Sequence, residues 1–458
     1  MRHNGKRTVN TVRQYSPWFC FVCLLLGSAT VSADTSLTLS RKEYAEKLQG
    51  FWLGQCIANW TGLVTEMDKI GDTPEYRTGA FYTREDWGKP DQPSIWSDKP
   101  SELSPVIDFV VRGKDEVWGA DDDTDIEYMY QHLLDLHRSS VLTAEQIRNG
   151  WLKHIRKEEE NFLWVSNERA FHLMQEGILP PDTSDPERNP EHAMIDAQLT
   201  TEIFGLFAPG RPDIARRMAY LPIRTTARRE TAWMAEFYVT MHALAALHKE
   251  EQPLREHLHW AAREARRGLP EASYAAAMYD FVWRQYQSGA AWEKARDAVH
   301  ERYQVEHADG YDMSRKPGNG CFAGGINFAA SLISLFYGEG DLKETIRIGT
   351  LAGWDSDNPT ATWGGLIGFL IGKQGVEAAF GQTFSDRYHI HRTRQGFPQA
   401  IDTFPGMSER GVAIIDRVIT GEMHGRVDLE NDLWQIPLKH PGSERTGADR
   451  GGNHGPSE

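Results

Sequence analysis

Gly119-Ala120-Asp121-Asp122-Asp123-Thr124-Asp125 runs straight into Ile126, Met129, Leu133, Leu134 and Leu136, apolar residues at the spacing of one helix face. One acid at a helix start is ordinary, because its oxygen caps free N–H groups and its charge suits the positive end of the dipole. Four carboxylates in five residues repel one another. They must either stay well solvated or hold a cation, and an all-oxygen donor set favours Mg²⁺, Ca²⁺ or Mn²⁺. A second acidic knot, Gly353-Trp354-Asp355-Ser356-Asp357-Asn358-Pro359, opens another helix. Asn358 is the expected N-cap there and Pro359 suits the first helical position. Thr360 to Gly372 follow, with Ala361, Gly364, Gly365 and Gly368 at close-packing positions. Two helix starts facing each other would assemble a dinuclear site.

Outward from the knots, helical periodicity dominates. Arg228 to His248, Leu254 to Arg267, Glu271 to Ser288 and Ile326 to Tyr337 carry apolar residues three and four apart. Alternating β patterns are rare, so the expected fold class is all-α. Gly338 and Gly372 are the expected stops of two helices. From about Asp72 to Lys114 the chain is rich in Pro, Gly, Trp and charge, which reads as a long surface excursion, and Pro180 to Glu191 is a shorter one. The expected division is a catalytic domain over about 40–380, an extension packed on it over 381–439, and a polar tail over 440–458 without order.

The 458 residues, 40% hydrophobic and 25% charged, are those of a globular protein. A net charge of −15 makes nucleic acid and anionic membrane surfaces poor partners. Residues 1–33 read as a cleaved secretory signal: Arg2, Lys6, Arg7 and Arg13, then the short apolar run Trp18 to Leu26, then Val31-Ser32-Ala33 before a cut at Asp34. Losing those four basic residues and no acid deepens the charge from −15 to −19. The expected location is periplasmic or secreted, with no membrane attachment after cleavage. Cys56 and Cys321 remain, either as a disulfide or as two buried thiols. No Gly-rich phosphate loop and no serine nucleophile elbow is present.

The pair of knots resembles the ADP-ribosylglycohydrolase superfamily, whose members hold two Mg²⁺ or Mn²⁺ ions between acidic motifs at two helix starts. Gly50-Phe51-Trp52-Leu53-Gly54, on through Ala58-Asn59-Trp60-Thr61-Gly62 to Glu66, resembles the family's N-terminal helix. Ile195-Asp196-Ala197-Gln198 with Glu202, Phe204 and Gly205 is similar to a central segment of its large bacterial members. Gly325 to Phe328 and Tyr337 to Asp341 resemble the approach to the second motif. The resemblance implies an orthogonal all-α bundle with two divalent cations at its centre, Mg²⁺ first, Mn²⁺ or Ca²⁺ as alternatives. It implies Asp121, Asp122, Asp123, Asp355, Asp357 and Asn358 as ligands, Glu66 as a glutamate contacting the metals, and Asn59, Asp196 and Gln198 on the substrate side. Asp121 and Asn358 stand where the family usually has Thr, and Asn59 where it has Asp. Arg224 to Arg229 replaces a segment that often begins Ser-His, which touches the substrate more than the chemistry.

Two hard cations orient vicinal hydroxyls, polarise an anomeric leaving group and activate water, while a carboxylate, Asp123 or Glu66, manages the proton. Trp60, Trp118 and Trp354 lie in or beside motifs, where each either stacks on a sugar or base or packs in the core. The expected function is an exported, metal-dependent glycoside hydrolase acting on a small-molecule or glycan substrate, a carbohydrate or a ribosyl-type glycoside. The alternatives are an ADP-ribosyl-protein hydrolase and an inactive binding protein of the same fold.

Overall fold

The helix Arg41–Gly62 is the axis around which the rest is arranged. Ser40 caps it, its hydroxyl accepting from the Glu43 N–H at 3.2 Å. From Leu48 onward the helix is buried on nearly every side, as expected of a helix apolar all round. The computed structural model describes residues 36–119, 121–156, 164–390 and 396–438; the signal stretch 1–33 and the tail 440–458 lie outside the described residues.

Against this axis lies the long helix Asp357–Phe380. The two backbones approach so closely that a Cβ on Gly54 would sit 2.3 Å from the Gly364 carbonyl oxygen, and one on Gly368 would sit 2.3 Å from that of Gly50. Only glycine permits this approach. The second helix begins two residues earlier than its sequence suggests. Ser356, without a side-chain cap bond, takes the N-cap place expected for Asn358. Pro359 then falls at the third helical position, still in the first turn, where no intrahelical acceptor awaits its missing N–H. Gly372, at φ 71°, breaks the helix as expected, but a further run continues to Phe380.

Around the central pair pack the amphipathic helices, among them Asp122–Leu136, Arg229–Ala245, Leu254–Arg266, Tyr274–Gln287 and Gly324–Tyr337. The architecture is the all-α bundle expected, with β structure limited among the described residues to short strands. Ser36–Ser40 pairs antiparallel with Leu433–Pro437, which also pairs with Arg426–Asp428. The Arg41 guanidinium fastens this clasp through Asp416 at 2.7 Å and Asp432 at 2.8 Å. Residues after 380 therefore return to the start of the chain, where Phe404–Gly421 also packs on the first helix. Cys56 and Cys321 are free and buried. No helix among the described residues is long and apolar enough to cross a membrane.

The excursion from Asp72 to Lys114 holds a single short 3₁₀ turn, Arg84–Asp86. It is pinned at its root: the Tyr82 hydroxyl donates to Asp68 at 2.7 Å, the Lys69 ammonium to Gln92 at 2.7 Å, and the Ile95 N–H to the Met67 carbonyl at 3.2 Å.

Candidate metal centre

Asn59, on the last turns of the first helix, joins the two acidic knots. Its Nδ2 donates to Asp123 Oδ2 at 2.9 Å and to Asp357 Oδ2 at 3.1 Å, while its Oδ1 accepts from the Asp121 N–H at 3.1 Å. An aspartate at this place would supply no such donor. Asp121 is the N-cap of Asp122–Leu136, accepting from the Asp122 N–H at 2.7 Å. Asp122 accepts from Asn167 Nδ2 at 3.2 Å. The fourth acid of the knot turns away, since Asp125 accepts the Tyr388 hydroxyl at 2.5 Å.

The second knot is shaped by two successive left-handed residues, Gly353 at φ 97° and Trp354 at φ 57°. That turn is held by a pair of backbone bonds, Trp354 N–H to Lys69 at 2.8 Å and Met67 N–H to Trp354 at 2.9 Å. They draw Glu66 toward Asp355, and ligand oxygens of Glu66, Asp355 and Asp357 lie within 4.8 Å of one another. Behind them, the Asp355 N–H donates to Asn327 Oδ1 at 3.2 Å.

Burial, then the neighbouring Asp357, Asp122 and Asp121, push the Asp123 carboxyl well above the usual range. Asp355 is raised likewise by burial, then by Asp357 and Glu66. Carboxylates this close in a low dielectric either bind protons or bind a cation. The donor set fits a hard divalent ion: it is all oxygen, and Asp123 Oδ1 and Asn358 Oδ1 are buried with no hydrogen-bond partner.

The cluster opens into a cleft of about 290 Å³ lined by Glu66, Asp121, Asp122, Asp196, Asp355, Asp357 and Asn358 on its polar side, and by Trp96, Trp164, Val165, Ile195, Leu199 and Phe322 on its apolar side. Several expected site residues are placed elsewhere. Asp123 is behind the cleft wall, 1% exposed. Asn59, expected on the substrate side, is a strut between the knots. Trp60 packs between the Trp118 ring and the Arg112 guanidinium. Trp118 donates its indole N–H to the Ser385 carbonyl at 2.9 Å, and Trp354 donates to Gln304 at 2.7 Å while its ring packs on Phe81. Trp118 and Trp354, buried rings with satisfied N–H groups, are packing residues, Trp60 is half-buried, and none of the three lines the cleft. Gln198 also stays outside it, its amide donating to the Gly324 carbonyl at 3.2 Å. Asp196 does line the cleft and is itself tethered, accepting from the Ser166 hydroxyl at 2.5 Å and the Asn167 N–H at 3.0 Å. Burial lifts its pKa to about 6.

A second carboxyl pair lies deeper. Glu127 accepts from Gln55 at 2.8 Å and the Ile203 N–H at 2.7 Å; Glu202 accepts from the Thr362 hydroxyl at 2.6 Å. Burial raises both, Glu127 well above its usual range and Glu202 to about 7. A raised carboxyl favours the fold in its neutral form, so this contribution is present below the ordinary glutamate pKa and is lost as pH rises through about 7. In chelator, the protein is expected to melt lower at pH 8 than at pH 6. Glu202→Gln, whose amide can donate to Glu127, should flatten that dependence. Thermal melts across the range check it, and an unchanged slope in the variant would refute the assignment.

A family model described as ADP-ribosylglycohydrolase matches residues 40–405. Among solved structures, a chain described as an ADP-ribosylglycohydrolase-related protein complex is similar over 82% of this chain and 98% of its own, at 16% identity and a TM-score of 0.41. No curated protein matches.

Proposed function

The chain belongs to the ADP-ribosylglycohydrolase family and is a hydrolase acting on glycosyl bonds; from that premise we propose that it is an exported, metal-dependent glycoside hydrolase whose substrate is a carbohydrate or ribosyl-type glycoside. The convergence of Glu66, Asp355 and Asp357 within 4.8 Å carries the metal dependence. These three, with Asp121, Asp122, Asp123 and Asn358, would hold two divalent cations, Mg²⁺ or Mn²⁺. Such ions supply Lewis acidity at the anomeric oxygen and a water that ionises near neutral pH.

The side chains divide the remaining work. Asn59 holds the two knots at fixed separation. Glu66 lines the cleft and is only half-buried, so it reaches the attacking water as proton acceptor more readily than Asp123, which faces the strut. Asp196, with a pKa of about 6, keeps part of its proton near neutral pH on the same cleft wall. Export is supported by the basic, apolar and small-residue order of residues 1–33; amino-terminal sequencing of the mature protein is expected to begin at Asp34.

Turnover of glycosides, furanosides and ADP-ribose conjugates should be lost in EDTA and restored by Mg²⁺ or Mn²⁺. Turnover indifferent to the chelator would sink the metal mechanism.

A further inference from the structure

Three aromatic rings at the mouth of the cleft have no part in the metal chemistry. Trp96 and Trp164 lie 5.8 Å apart with planes 16° from parallel, Trp96 and Phe322 lie 5.8 Å apart at 13°, and Trp164 and Phe322 lie 6.5 Å apart at 19°. Nearly equal separations exclude a column of three. A ligand sandwiched between two rings needs about 7 Å, twice the contact distance of carbon, so none fits between Trp96 and its neighbours. The three planes are nearly parallel in a cluster, with Trp96 47% and Trp164 41% exposed and Phe322 buried at 8%.

Each ring is fixed by backbone to the acid cluster. Ile95, beside Trp96, is bonded to Met67, the neighbour of Glu66; the Phe322 carbonyl accepts from the Ile195 N–H, beside Asp196, at 3.0 Å. Trp164 enters the helix Val165–Gln175, whose Asn167 N–H is held by Asp196. Val165 itself sits at φ 43°, a strained conformation for a β-branched residue of the kind that collects at ligand sites. Trp96 and Trp164 are large exposed rings held rigidly beside a reactive cluster, which makes them a binding surface, and the buried Phe322 backs them.

The electrostatics select what lies on it. Glu66, Asp121, Asp122, Asp196, Asp355 and Asp357 face the cleft, and among the described residues lining it there is no Lys, Arg or His. A diphosphate would therefore enter a negative cleft without a basic side chain to hold it. A neutral sugar meets no such penalty: its C–H face suits the negative face of an aromatic ring, and its hydroxyls donate to carboxylates.

We propose that Trp96 and Trp164, backed by Phe322, form a sugar platform and that the substrate is a neutral glycan of two or more rings. The platform rests on the hydrolase reading for the place of the scissile bond, but it is tested by binding alone. The experiment titrates the full-length mature protein, by tryptophan fluorescence and calorimetry, with neutral oligosaccharides of two to six pyranose units in α and β linkages. Monosaccharides and ADP-ribose serve as comparators, each with Mg²⁺ and with EDTA. Some oligosaccharide should bind tenfold or more tightly than its monosaccharide and than ADP-ribose. Trp96→Ala and Trp164→Ala should each weaken it roughly tenfold, and Trp96→Phe should retain most of the affinity. On a cleaved oligosaccharide the alanine variants should raise KM more than they lower kcat. Tighter or equal binding of ADP-ribose, no oligosaccharide bound, or affinity unmoved by both alanine variants would each overturn the platform. Binding without cleavage in either metal or chelator would leave the platform standing and defeat the hydrolase mechanism instead.

Discussion

Asp355→Asn will abolish metal-dependent turnover, by about a thousandfold or more, while making the metal-free protein more stable. The substitution is isosteric, so the helix start and the contact to Asn327 survive. It removes one charge from the place where Glu66 and Asp357 approach most closely. Lost ligation costs several kcal/mol of transition-state stabilisation, and about 4 kcal/mol corresponds to a thousandfold. The second half of the signature follows from repulsion. Burial and two neighbouring carboxylates raise Asp355, so its ionised form opposes folding at neutral pH, and a neutral amide relieves that strain. Thermal melts in EDTA should move upward while calorimetry loses Mg²⁺ or Mn²⁺ binding. Metal binding equal to that of the wild type would refute Asp355 as a ligand.

Gly368→Ala will destabilise the fold by about 3 kcal/mol, at the upper end for an overpacked core, and will lower the melting midpoint by roughly 5 °C or more. The added methyl would lie 2.3 Å from the Gly50 carbonyl oxygen and 3.1 Å from Gly54 Cα. Both are backbone atoms of a buried helix, so no side chain can swing aside. The helices must separate, and Asn59 and Asp357 on the same pair separate with them. Gly421→Ala is the control, because nothing lies within 4 Å of its added methyl and alanine is the better helix former. It should leave the midpoint unchanged or slightly higher. Equal melting of the two variants would mean that the close helix contact is not what holds the centre together.

The sequence carried the helices and both knots because each is a local signal. Periodicity, caps and runs of acid are read within about a dozen residues, and so are the glycines at 50, 54, 364 and 368. What could not be read was partnership. Asn59 serves both knots, yet nothing around Ala58-Asn59-Trp60 distinguishes a strut from a substrate contact. Trp60, Trp118 and Trp354 attract notice by lying next to motif residues, but adjacency along the chain says nothing of which way a ring faces. The rings at the cleft mouth come from the excursion, from the start of Val165–Gln175 and from the turn before Gly324–Tyr337. No periodicity ties those three places together. The helix start at Asp357 was missed by two residues because Asn358 is the better cap by composition, whereas the carboxylates and the packing of Gly62 against Asp357 fix where the turn begins.

Asn59 and Asp357 are 298 residues apart, and that separation governs how the molecule comes into being. Closing a loop of this size carries an entropy cost of about 5 kcal/mol beyond a constant term. At about 5–20 residues per second, some 15–60 s pass between synthesis of the first helix and of its partner. Throughout that interval the face of Arg41–Gly62 that packs on Asp357–Phe380 lacks its partner, and the chain is exposed to aggregation until that partner arrives. A cation that needs both knots has no site on the nascent chain. Such a cation would bind only the finished fold, so its concentration would act as a late lock on the native state rather than as a guide toward it.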